Sequence, residues 1–425
     1  MHAEPLHLEF DRLLEAEPIK PAATLSRVMW WCVLVGVVTF CIGLVTYSPA
    51  HLWGAYYTNL NFFMGLAAGS VIICAAVQIV RATWSVPVRR LAEANAAFLP
   101  WAFILFLCSY FGREYLFPWG RGPMPGREWW MQADFVYLRN GLLLGFLFYL
   151  MHRFVRLSLR SDVGFLREKS RNKNLWRGAR YQALTAGWKG SESEVDATAR
   201  KLSWNAPVLV LAYALIYSIY AFEMIMGMDA VWFSTMFGGF IFVGNIYLAW
   251  AVLSMSTVYH ARRNPDFAST LGRQQFWDLG KLTFGFCMLW GYLFFSQFLP
   301  QWYGNLPEET LWMITRTREY PWKAWAWVVF PMCFVIPFIM LLSEDVKKNT
   351  NTLASICLVV FLGKWAEQYI LIMPQMFPHQ IPFSPLEVGL FFGFLGAYVL
   401  SIQHFIAKYP LITISHPQAQ GRVDW

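Results

Sequence analysis

Charge is scarce in this sequence. Only 14% of its 425 residues are Asp, Glu, Lys or Arg, against roughly 25% in an average soluble domain. That shortage excludes an ordinary soluble chain of two or three domains. Paired cysteines are lacking too. The seven cysteines (Cys32, Cys41, Cys74, Cys108, Cys287, Cys333, Cys357) form no C-x-x-C pair, so neither an iron–sulfur nor a structural zinc site is visible. They read as small apolar packing residues. Of the eight histidines (His2, His7, His51, His152, His260, His379, His404, His416), three lie near apolar runs: His152, His260 and His404, all towards the same ends. A b-type haem in a bundle needs axial ligands on facing helices. No cofactor held covalently or by metal ligation is expected. Residues 1–26 are polar, with Glu4, Glu9, Asp11, Glu15 and Glu17, and show no apolar core or small-residue cleavage site. No signal peptide is expected. Low-complexity repeats are absent as well.

What is there is apolar. Such residues make up 57% of the chain and fall in blocks about 20 long, the length a helix needs to cross the hydrocarbon core. Ten spans are predicted, at 28–47, 54–80, 95–116, 131–152, 205–225, 231–259, 275–302, 323–343, 352–373 and 386–407. The expected fold is therefore all-α: a polytopic membrane protein with ten transmembrane helices, suiting two four-helix bundles plus two flanking helices. The chain divides into an N-terminal segment (1–26), helices one to four (27–152), a basic surface segment (153–204), helices five to ten (205–409) and a tail (410–425). Pro331 and Pro337 inside the eighth span predict a kink there.

An even number of spans puts both termini on one side. The termini and loops of that side hold 25 of the 34 Lys and Arg residues, the opposite loops six, and the spans themselves three. By the positive-inside rule both termini are cytoplasmic. The net charge of +8 then reflects topology and anionic lipid headgroups, and no nucleic-acid partner is expected. The 153–204 segment, with 12 basic and five acidic residues and sparse, irregular apolar ones, is predicted to lie along the membrane surface.

Ionisable residues inside lipid-spanning segments are expensive and often mark proton or ion routes. The candidates for a proton path are Glu223 and Asp229 at the outer end of the fifth span, Lys364 and Glu367 in the ninth, Asp278 and Lys281 in the seventh, and Asp134 and Arg139 in the fourth. Lys364–Glu367, Asp278–Lys281 and Asp134–Arg139 also have a plainer reading, mutual neutralisation, most directly where the spacing is i, i+3. Tyr213, Tyr217 and Tyr220 form a stripe leading to Glu223. It reads as helix packing or, alternatively, as a quinone-lining face.

The runs AFEMIMGMDAVWFSTMFGG (221–239), FWDLGKLTFGFCMLWGYLFFSQFLPQWYGNLPEET (276–310) and FLGKWAEQYILIMP (361–374) carry a resemblance. They are similar to the second large membrane subunit of bacterial alternative complex III, a quinol:cytochrome c oxidoreductase, related to the polysulfide-reductase membrane-anchor (NrfD-like) family. The resemblance implies two four-helix bundles flanked by the first and last helices, in a multi-pass protein of the bacterial inner membrane. It implies partners: a sister NrfD-like membrane subunit, an iron–sulfur subunit, and multihaem and monohaem c-type cytochrome subunits, with membrane lipid around them. It implies support of quinol oxidation and proton conduction, with a quinone or quinol as the one small-molecule ligand. The matching acidic positions are Glu223, Asp229 and Glu367. This chain has Glu at 223 and 367 where the family has Asp, and Lys at 364 where it has His. A Lys has a much higher unperturbed pKa than a His, which weakens a His-like relay at that position. Direct quinol binding, a purely structural anchor and a stand-alone transporter are the alternative functions. A transporter tends to show matched broken helices in two halves, and no such pair is visible.

Overall fold

The computed structural model describes Leu14 and residues 17–415. His2, His7, His416, Glu4, Glu9, Asp11 and Glu15 lie outside the described residues. Among the described residues, ten helices are long and apolar enough to cross a membrane: α1 (Ala23–Thr46), α2 (Pro49–Ile79), α3 (Arg89–Leu116), α4 (Ala133–Lys169), α5 (Ser191–Met228), α6 (Phe237–Arg263), α7 (Arg273–Gly304), α8 (Trp322–Leu342), α9 (Thr350–Gln375) and α10 (Pro385–Ile406). The described residues contain no strand. The protein is an all-α, multi-pass membrane protein.

Local sequence sets several of the boundaries. Ser48 caps α2 by accepting the His51 N–H, and Pro49, which has no N–H to leave unsatisfied, occupies the first helical position. Asn349 caps α9 through its side chain. At α10, Ser384 and Glu387 form a reciprocal capping box.

The helices close into two rings. In one, α2, α3, α4 and α5 pack each on the next and α5 back on α2; in the other, α6, α7, α8 and α9 do the same. The rings meet where α2 lies against α6 and α9, while α1 and α10 pair with each other alongside α2. The Ser26 hydroxyl donates to the Gln403 side chain at 3.0 Å, which sets the start of α1 beside the end of α10. In lipid, apolar contact alone does little to hold helices together, so small residues that admit a close neighbour matter more. Gly65 and Gly69 on α2 do this for α6: a Cβ at Gly69 would stand 2.6 Å from the Asn245 carbonyl oxygen. Gly36 and Gly393 do it for α1 and α10, where a Cβ on Gly36 would stand 2.4 Å from the Gly393 Cα. Gly393→Leu is accordingly expected to cost about 1–3 kcal/mol through overpacking, read as a lower unfolding temperature in detergent. Gly285→Leu is the control, since a Cβ there meets nothing within 4 Å.

The 153–204 segment departs from the expected surface strip. Residues 153–169 continue α4, residues 191–204 begin α5, and a short helix, Ala179–Leu184, lies between them. The extension encloses a charged cluster at the start of α3. Arg90 pairs with both Glu93 and Asp162, and Arg89 pairs with Glu93 at 3.1 Å. Asp162 also accepts the Ser415 N–H at 2.8 Å and its hydroxyl at 2.5 Å. All four charged side chains are buried, so this network fastens the base of α3, the α4 extension and the segment that follows α10 to one another.

Candidate functional site

α8 changes neighbours halfway along. Its first part, Trp322–Phe330, packs on α9 and on the short helix Pro307–Thr317, and its last part, Ile336–Leu342, packs on α7 as well as α9. Between them Pro331–Val335 form a π-helical turn, at the position where the two prolines predict a kink. Pro337 has no N–H to offer the carbonyl of Cys333, four residues earlier. That carbonyl instead accepts the Tyr247 hydroxyl from α6 at 3.1 Å. The turn leaves a gap between α7 and the first part of α8, and the gap is a cavity of about 430 Å³. Its walls are aromatic, among them Phe240, Trp290, Phe294, Trp312 and Phe330, and exposed Phe295 and Trp327 stand at its rim.

Two charged groups reach this cavity. Glu367 of α9 forms a buried ion pair with Lys364, on the same face one turn earlier. The other carboxylate oxygen, Oε1, accepts the Trp290 indole N–H at 3.2 Å. The Lys364 ammonium sits 5.7 Å from the Phe240 ring and 5.5 Å from the Trp290 ring, within cation–π reach. Gly244 on α6 makes room for it, because a Cβ there would come within 2.6 Å of Nζ. The carboxylate and ammonium balance each other's charge, in a place where lone charge is costly.

The second group is Arg316, on the short helix Pro307–Thr317. Pro374 cannot donate to the carbonyl of Ile370, and α9 ends close by. Arg316 supplies the missing donors: Nε to Ile370 O at 2.9 Å and Nη2 to Leu371 O at 3.1 Å. Its guanidinium lies 3.8 Å from the Trp312 ring centroid, and Trp312 stacks on Trp232 at 3.9 Å. Burial pushes this guanidinium down to about 9, and Asp229 acts in the opposite direction. It therefore stays charged at neutral pH.

The remaining sequence candidates fall elsewhere. Asp134 and Arg139 are not a pair. They are five residues apart and so sit on different faces of α4. Arg139 instead forms a two-point ion pair with Glu223 of α5, Nη2–Oε1 at 2.8 Å and Nε–Oε2 at 3.0 Å, and Asn140 donates to the same carboxylate at 2.7 Å. Asp134 accepts the Tyr110 hydroxyl at 2.5 Å. Glu223 thus belongs to the first bundle and Glu367 to the second. Asp229 organises the loop before α6, taking the N–H groups of Val231 and Trp232 and the Gln375 amide at 2.9–3.0 Å. Asp278 and Lys281 do pair, at 2.6 Å, with Lys281 substantially exposed.

Tyr213, Tyr217 and Tyr220 are buried and are not among the residues that wall the cavity. Tyr220 donates to Asn61 of α2 at 2.8 Å and Tyr213 to the Phe242 carbonyl of α6 at 3.2 Å. Sequence reasoning missed His51, which lies in the first turn of α2 and meets Glu387 of α10 at 2.6 Å. The Ser-Pro that caps α2 just before it was the available signal. It also missed Arg316, for which Pro374 at the end of α9 was the signal.

No protein-family model matches this chain, and no curated protein matches its sequence.

Proposed function

We propose that this chain is the NrfD-like membrane subunit of a bacterial respiratory quinol:cytochrome c oxidoreductase of the alternative complex III type. In this reading it lies in the inner membrane with both termini cytoplasmic. Electrons from quinol pass to redox centres in the iron–sulfur and c-type haem partners, and the sister NrfD-like subunit lies beside it. This subunit contributes a proton step at Lys364–Glu367. The supporting observation is the buried ion pair in the middle of α9, with its carboxylate facing an aromatic-walled cavity. Buried ionisable pairs at that depth are costly and mark proton relays in other membrane proteins.

A second reading, direct quinol binding, is favoured by the cavity itself. About 430 Å³ falls within the range of small-molecule sites, which combine apolar walls with a few polar groups. Here a quinol ring would lie among Phe240, Trp290 and Phe330, with Glu367 placed to accept a hydroxyl proton. The electrons would still leave through the partner subunits.

Purification in mild detergent is the first test. Co-elution with c-type haem and iron–sulfur subunits is expected, and a lone monomer would sink the assignment. In the intact complex, Glu367→Gln is expected to lower quinol-driven proton release in reconstituted vesicles by about 100-fold, the low end for a lost acid–base group. Unchanged oxidation and release in that variant would leave the pair a structural role only. Leu371→Trp, which fills the cavity, separates the two readings: direct binding predicts a raised KM for quinol, and a pure proton path predicts an unchanged one.

A further inference from the structure

A second cavity, about 570 Å³, opens at the basic end of the first bundle. Its floor is apolar, made by Ala96 and Ala97 of α3, Val155 and Leu159 of α4 and Phe405 of α10. Its rim carries Arg153, Arg156 and Arg180. No Asp or Glu is among the described residues that line it. None of the three arginines forms an ion pair among the described residues. Elsewhere at this end, basic side chains do find carboxylates, as Arg89, Arg90 and Arg160 show. Lys408, just past α10, adds to the excess: its ammonium is pushed below its usual range by burial and by Arg180.

The groove is also continuous with lipid. Leu142, Phe146 and Tyr149 recur at i, i+4 and i+7 along α4 and are all exposed, and the same stripe continues through Arg153 and Arg156. An apolar stripe at membrane depth therefore runs directly into guanidinium groups at the interface. Arg180 is held over the far side by the short helix Ala179–Leu184. Tyr181 donates to the Lys408 carbonyl at 2.8 Å and packs 5.3 Å from the ring of buried Trp176. The rim is thus set by contacts across three parts of the chain.

We infer that this groove is a binding site for a glycerophospholipid with an anionic headgroup. Its phosphate is bridged by Arg153, Arg156 and Arg180, and an acyl chain follows the Leu142–Phe146–Tyr149 stripe. Charge complementarity selects the occupant. Three unpaired guanidiniums match a negative headgroup, and two phosphodiesters in one lipid match them better than one. A zwitterionic headgroup brings its own cation into a groove that has no anion to receive it. Basic pockets between helices at the cytoplasmic face are a general means of holding such lipids. The site does not depend on the proton or quinol chemistry of the second bundle.

The test uses the full chain, in its complex where it has one, delipidated in mild detergent. Cardiolipin, phosphatidylglycerol and phosphatidylcholine are titrated in turn, and native mass spectrometry counts the lipid retained. Wild-type protein is expected to hold cardiolipin most tightly and phosphatidylcholine least. The variant R153Q/R156Q/R180Q is expected to lose on the order of 100-fold in cardiolipin affinity, given the usual strength of three basic groups at an anionic surface. The variant K173Q/R177Q/K189Q removes the same charge from exposed positions of the same segment and is expected to keep the preference. Loss of preference in both variants would show diffuse charge and overturn the site. So would wild-type protein that binds the three lipids alike, or a groove variant that binds as wild type does. Millimolar inorganic phosphate is expected to leave the bound lipid in place; displacement by it would reassign the groove to a free anion.

Discussion

Arg90→Met is expected to destabilise the protein by about 3–5 kcal/mol, the usual result of removing one partner from a buried ionic network. Arg90 is fully buried and contacts two carboxylates, Glu93 and Asp162. Without it, Arg89 still pairs with Glu93 at 3.1 Å. Among the described residues Asp162 keeps only the Ser415 donors, so a carboxylate is left in the interior without its paired cation. The loss is read as a lowered thermal unfolding midpoint of the detergent-solubilised protein. The double variant R90M/D162N is expected to recover much of it, because it removes one cation with the carboxylate it leaves stranded and keeps the Arg89–Glu93 pair. A midpoint for Arg90→Met equal to wild type would show that the network holds nothing together.

Lys364→Met is the second large effect. It removes the only cation paired with Glu367 among the described residues. The carboxylate then keeps the Trp290 N–H at 3.2 Å but no balancing charge. A loss of about 3–5 kcal/mol is expected in the single variant, and the double variant K364M/E367Q is expected to return near wild-type stability. The double variant also separates structure from function. Restored stability with proton release still absent supports the proton role; restored stability with full proton release reduces the pair to packing. If the single variant is as stable as wild type, the ion pair contributes nothing to stability.

The two charge pairs that were legible in the sequence, Lys364–Glu367 and Asp278–Lys281, share a cause. Each lies at i, i+3 on one helix, where helical geometry alone brings the side chains together. The Asp134–Arg139 pairing failed for the same reason turned round, since five residues of α-helix separate the two faces. What Arg139 meets is Glu223, 84 positions along the chain, and no local period encodes that distance. The buried cluster at the base of α3 was illegible in another way. Arg89, Arg90 and Glu93 read as an ordinary charged loop until the α4 extension covers them.

Composition, the length of apolar runs and the placement of Lys and Arg determine a ten-helix membrane protein with its basic ends on one side. Those are properties of the solvent each segment must enter, and they are written residue by residue. Tertiary structure alone decided which helices form each ring, which carboxylate each arginine meets, and where cavities open. The prolines show why. The sequence places Pro337 and Pro374, and the missing N–H groups follow at once, but only packing shows that Tyr247 and Arg316 take up the freed carbonyls. Satisfying those groups from outside the helix draws the second bundle into shape and leaves a cavity beside Glu367.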